Sequence, residues 1–275
     1  MAAVDLAASA AADLAAAAPE EAGSVARGTL GAIHMKELLD QLVEKLKSAA
    51  GKNLKAVVLY GSAASGNYHA KHSDLNVLCL VEHAGASELE ALTPVAQWWI
   101  RKGHPAPLVF TADELRRSAE LFAIEMRDIR ERHQMLHGED FLTTFDVPMK
   151  FHRWQVKRDL RSNWLRLRQA ILSAPKKRSA QLGIMTASIS TFAALFRHAL
   201  IALGEPPPEN NRAMFDRFGA IVSASPAPFH TILDVREGKQ RANKIDVDTN
   251  LRAYLDFVHR VTNEVDRRVQ LGEQG

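Results

Sequence analysis

Two short apolar runs bracket a glycine bend, and that arrangement limits the folds open to the chain. Residues 55–60 are rich in apolar and β-branched types and run directly into Gly61-Ser62; a dozen residues after Ser62, Asp74 opens a second run, 75–81. Runs of this length, bounded by Gly, Ser and Asp, read as strands. A third, shorter strand is expected at 106–110 (Ala-Pro-Leu-Val-Phe). After Pro148 the pattern turns wholly helical. The expected fold is therefore an α/β domain, a small mixed sheet flanked by helices, followed by an all-α helical bundle.

Helical spacing fills the intervals. Leu38, Leu42 or Val43 and Leu46 repeat across 36–49, and Gly51 is a natural stop. Ser87 with Glu90, and Thr111 with Glu114, have the spacing of capping boxes. Residues 119–136 read as one helix with Leu121, Ile124, Ile129 and Met135 as buried candidates, and 137–140 as a turn. In the second half Val156, Leu160, Trp164, Leu167 and Ile171 form one stripe. Residues 182–203 are apolar on most sides, as the centre of a bundle would be. The last helix is expected over 249–269, capped by Asp248. The domains are read as an Ala-rich, poorly ordered extension over 1–34, an α/β domain over 35–147 and a helical bundle over 148–275. Met35 opens the compact part and is a second possible start.

Composition narrows the setting. At 47% hydrophobic residues the 275-residue chain can bury a real core, and its net charge of +3 does not suit a nucleic-acid coat. The charge is uneven, however: residues 150–178 hold ten Lys and Arg against one acid, Asp159. That basic helix makes RNA a partner to consider. The lone cysteine, Cys79, lies in an apolar run and reads as core, which suits a reducing, cytoplasmic setting. Residues 2–18 carry Asp5 and Asp13 and no basic residue, unlike a secretory leader. No uninterrupted apolar stretch looks long enough to cross a bilayer.

The strand, Gly61-Ser62, spacer, Ser73-Asp74-Leu75-Asn76, strand layout resembles the nucleotidyltransferase superfamily, in particular its kanamycin-nucleotidyltransferase and minimal-nucleotidyltransferase branches. The resemblance covers roughly residues 36–140. It implies a protein that binds a nucleoside triphosphate and Mg²⁺ between an α/β domain and a helical bundle. Such a protein transfers a nucleoside monophosphate to a hydroxyl of a small molecule or another protein. By the same resemblance Asp74 is the metal ligand and chief catalytic group, with Asn76 as its auxiliary. Gly61, Ser62, Ser73 and Lys71 are the nucleotide contacts, and a homodimer is left open. The chemistry suits the residues. Negative charge on phosphate is neutralised by cations held on carboxylates. An Asp-x-Asp pair on a strand places both side chains on one face. Glycine lets backbone approach phosphate, and a following helix start offers free N–H groups.

Two departures stand out. The second carboxylate position is Asn76, and 106–110 contains no acid where the family's third carboxylate, often its general base, is expected. Asp113 and Glu114 are better placed as capping residues, while Glu125 and Asp128 are the acids that could approach from a helix. A metal motif reduced in this way makes a nucleotide-sensing or protein-interaction module of the same fold the alternative, and an RNA-associated helical protein the second alternative. Other features read as structure. His69, His72 and His83 lack zinc spacing, Trp98-Trp99 suit helix packing, and the Arg252-to-His259 spacing is coincidental.

Overall fold

The computed structural model describes residues 25–65 and 74–272. Among these are four strands and nine α-helices, and the chain divides into a unit ending at Pro148 and a unit beginning at Met149. A sheet-plus-helices layout followed by helices alone is thus present.

In the first unit, β1 (Leu54–Tyr60) lies between β2 (Asn76–Val81) and β4 (His133–His137), antiparallel to both. The short β3 (Leu108–Thr111) joins β2 in parallel, giving the order β3-β2-β1-β4. Alternation splits the strands cleanly. Val57, Leu59, Val77, Cys79 and Val81 pack in one cluster with Leu39, Leu42 and Leu46 of α1 (Val25–Ala50) and with Leu92, Val95 and Trp99 of α2 (Ala86–Arg101). Each such apolar side chain, moved from water into this layer, contributes about 1.5–3 kcal/mol. Cys79 is fully buried there, and burial alone pushes its thiol up to about 12, so it is an inert core residue. Next come α3 (Ala112–Leu121) and α4 (Ala123–Glu131).

Several sequence expectations need correction. α1 begins at Val25, so residues 25–34, read as part of the extension, are helical; residues 1–24 lie outside the described residues. These ten residues hold Gly28 and Gly31 and no clear apolar stripe, which is why periodicity stopped short of them. The capping box at Thr111 and Glu114 forms, but α2 starts at Ala86 with Gly85 as N-cap, so Ser87 and Glu90 make no box. The last helix, α9 (Val247–Gly272), is capped by Asp246, which accepts from the Thr249 N–H and hydroxyl, and not by Asp248. The single helix expected over 119–136 is broken twice. Phe122, at φ −122° and ψ 46°, ends α3, and residues after Arg132 leave the helix to form β4. Leu121 is consequently 59% exposed. Met135 serves a strand, directly opposite Val58.

In the second unit, α6 (Arg178–Ala202) touches α5 (Met149–Ser173), α7 (Asn211–Val222), α8 (Ala227–Arg236) and α9. By length and composition α6 is apolar enough to cross a membrane, yet 61% of its most apolar window is buried inside the protein. Its Phe196 ring lies 5.1–6.1 Å from those of Phe215, Phe218, Phe229 and Phe257. Aromatic contacts of this kind add to simple burial. The expected core-helix role of 182–203 is met.

The edge of the sheet gives the first prediction. Gly138, just past β4, has φ +83°, and a Cβ there would lie 2.2 Å from the Lys55 carbonyl oxygen and 2.9 Å from the Ala56 Cα. Gly103 has φ +93° but nothing within 4 Å. Gly138→Ala should therefore cost about 2–5 kcal/mol, adding backbone strain to a clash, and Gly103→Ala only about 1–2 kcal/mol. Urea unfolding of the two variants checks this; equal losses would mean that β4 does not press on β1 as described.

Candidate functional site

β1 ends at Tyr60, and Tyr60 is paired with Asn76, the first residue of β2. Chain on either side of that pair must leave the sheet at the same end. Gly61-Ser62 therefore emerges beside Asp74-Leu75, so residues a dozen positions apart are brought together. Tyr60 also pairs with His133, so Tyr60, Asn76 and His133 present their side chains on one face.

The bend itself needs its glycine. Gly61 has φ +84°, a region that L side chains rarely adopt. Its N–H donates to the Arg132 carbonyl at 3.2 Å, and its carbonyl accepts from the Ala64 N–H at 3.2 Å. A short helix does begin at Ser62, and its described residues, Ser62–Ser65, are 3₁₀. Two of the bend's N–H groups are thus already used, and helix-dipole binding of an anion is not available from this turn. What remains is the close approach that glycine permits, together with Ser62, which is buried at 7% exposure and makes contacts of its own.

Asp74 is exposed and Asn76 is buried at 4% exposure. No hydrogen bond to the Asn76 side chain exists among the described residues. Lys71 and Ser73, read from the sequence as nucleotide contacts, lie outside the described residues.

His104 carries no signal in the sequence. It follows the left-handed Gly103, far from any motif, and its Nδ1 accepts from the Leu75 N–H at 3.4 Å. Its ring lies 4.5 Å from that of fully buried Trp99, whose indole N–H has no partner among the described residues. Burial lowers the His104 pKa below the ordinary histidine value, and the nearby Asp74 charge opposes that without reversing it. The sequence also missed His133, which is held by the Arg130 carbonyl at 2.9 Å and the Asp140 carboxylate at 3.2 Å. Burial pushes the Asp140 carboxyl up, but bonds from Thr143 and His133 outweigh it and hold the group below the usual carboxylate range.

Metal-holding capacity is modest. β3 carries no acid along Leu108–Thr111. Glu125 is buried on α4, and both it and Asp128 are engaged in contacts of their own. Among the described residues no three His, Cys, Asp or Glu side chains group as metal ligands. Asp74 supplies one charged oxygen and Asn76 one neutral oxygen. That set suits a single hard cation completed by phosphate oxygens and water, and does not suit a two-cation arrangement.

The basic span 150–178 is not one helix, since α5 ends at Ser173 and Arg178 opens α6, and four of its ten basic residues have intramolecular partners. Arg153 donates to the Ala202 carbonyl, Arg158 pairs with Asp159, Arg161 with Asp266, and Arg178 donates to the carbonyls of Ala242 and Ile245. His259 stacks on Trp164 at 5.4 Å, a structural use for that residue. In the first unit a concavity of about 490 Å³ lies at the far end of β2, among Leu80, Leu115, Phe141 and Phe145. Its rim cation, Arg116, is already paired with Asp113.

Compared with known proteins, the chain matches no family model and no curated protein.

Asn76 makes a prediction about stability. Asn76→Leu places an apolar side chain where the residue is only 4% exposed and should raise unfolding stability by about 1 kcal/mol. The denaturant midpoint reads the change. A loss of stability would show that Asn76 serves the fold and is not held for a ligand.

Proposed function

We propose that the end of the sheet built by Gly61, Ser62, Asp74 and Asn76 binds a nucleoside triphosphate with one Mg²⁺, in a nucleotidyltransferase-like first unit. The observation that carries the reading is the register Tyr60↔Asn76, which sets the glycine bend beside the entry to β2, two residues after Asp74. Asp74 would hold the cation, Asn76 would give it a neutral oxygen, and the triphosphate would complete its shell. Glycine at 61 lets backbone lie against phosphate oxygens.

The reaction this layout suits is nucleotidyl transfer. An acceptor hydroxyl oxygen forms a bond to the α-phosphorus, the bond from that phosphorus to the β-phosphate bridging oxygen breaks, pyrophosphate leaves, and the hydroxyl proton passes to solvent. A second reading, a nucleotide-sensing module without efficient transfer, is favoured by the acid-free strand β3 and by the amide at 76. One carboxylate is a weak basis for stabilising the charge that builds up in transfer. The RNA reading draws less support, because the arginines at 153, 158, 161 and 178 have intramolecular partners.

Thermal unfolding with ATP or GTP, each with and without Mg²⁺, tests the binding claim. At a hundredfold excess over Kd the transition should rise by about 5–10 °C with Mg²⁺, and most of that rise should vanish in Asp74→Ala. If no triphosphate moves the transition, the nucleotide reading fails. Labelled triphosphate then separates the two readings: transfer that is lost in Asp74→Ala identifies an enzyme, and binding without transfer identifies the sensor.

A further inference from the structure

We infer that His104 is a positioning residue of this site, a neutral imidazole that fixes the start of β2, and with it Asp74, by accepting the Leu75 N–H at Nδ1. The ligand rests on the nucleotide reading above; the geometry does not.

The argument begins with hydrogen-bond bookkeeping. A backbone N–H can only donate, so Nδ1 must be the acceptor and must carry no proton. In a neutral ring the proton then sits on Nε2, which has no partner among the described residues. The bond is made to the residue immediately after Asp74, at the point where the chain enters β2. Leu75 itself is completely buried in the layer beneath α1 and α2. The peptide that carries Asp74 into the strand is therefore held twice: Leu75 is seated in the core, and its N–H is tied sideways to His104. His104 is itself held by its stack on Trp99. No side chain of β3 could do this, because Leu108–Thr111 offers only apolar groups and the hydroxyl that caps α3.

Two consequences follow. The lone pair that would make His104 a general base is already used, so His104 does not take over the role of the absent strand carboxylate. What it does is limit the positions open to the Asp74 main chain, which a single charged ligand needs more than one carboxylate among three does. A carboxylate that alone anchors the cation has no neighbours to correct its placement.

Three variants separate this from simple packing. An Asn side chain puts an acceptor near the Nδ1 position, a Gln side chain puts its amide nitrogen near Nε2, and Ala has neither. In the ligand-free protein, hydrogen exchange at the Leu75 amide should stay slow in His104→Asn and become faster in His104→Gln and His104→Ala. Long-range ¹H–¹⁵N spectra of the wild-type ring should show the proton on Nε2. Affinity for Mg²⁺·ATP should follow the same order, near wild type in the Asn variant and weaker by about tenfold in the other two, the loss expected of one hydrogen bond. The inference is overturned if Leu75 exchange is unchanged in His104→Ala, if Asn fails to rescue it, if Gln rescues in place of Asn, or if the ring carries its proton on Nδ1. Should the wild-type protein bind no nucleotide, the exchange data still decide the role of His104 while the nucleotide reading falls separately.

Discussion

The antiparallel register between β1 and β2 is the constraint on which the site depends. Tyr60 faces Asn76, so the chain must bend at Gly61 where it enters again at Asp74. A shift of one residue would turn Asn76 to the opposite face, into the layer of Leu59, Val77 and Cys79, where an amide has no place. Burial of that apolar layer under α1 and α2 therefore sets the register, and the register sets the site. The hydrophobic core and the polar end of the sheet are two results of one alternation.

The site is assembled from groups that fit the fold poorly by themselves. Gly61 is in a left-handed conformation, Asn76 is buried with no partner among the described residues, and Trp99 leaves an indole N–H unbonded beside His104. Glycine adopts its left-handed bend at little cost, whereas an indole N–H buried without a partner costs about 1–3 kcal/mol. In the helical unit the aromatic cluster is closely packed, and Tyr254 joins it with its hydroxyl satisfied by Ser188 at 3.0 Å. Left-handed backbone occurs in both units, at Gly61 in the first and at Ser223, with φ 50°, in the second.

How much of this could be read from residues alone varied with the physics involved. Strands β1 and β2 were legible because β-branched and apolar residues run between Gly, Ser and Asp, and the capping box at Thr111 was legible because its two members are local. β4 was not. His133–His137 is short, polar at both ends and preceded by two helices, and only pairing with the edge of β1 makes it a strand. The same tertiary pairing brings His133 to the site. His104 was invisible for a related reason, since its importance lies in a contact with Leu75, 29 positions away, that no spacing rule encodes. A short helix after Ser62 was legible from the Gly-Ser pair, though not that its described residues, Ser62–Ser65, take the tighter 3₁₀ form.

The account is tested most directly by replacing Mg²⁺ with Mn²⁺ and following backbone amide signals as Mn²⁺·ATP is added. Paramagnetic broadening falls off steeply with distance from the ion. The amides of Gly61, Ser62, Leu75 and Asn76 should broaden first and together, at ion concentrations that leave β4 beyond Gln134 and the outer turn of α2 sharp. If those four signals persist while others fade, or if all remain sharp at saturating nucleotide, the cation does not sit between the glycine bend and Asp74 and the account is contradicted.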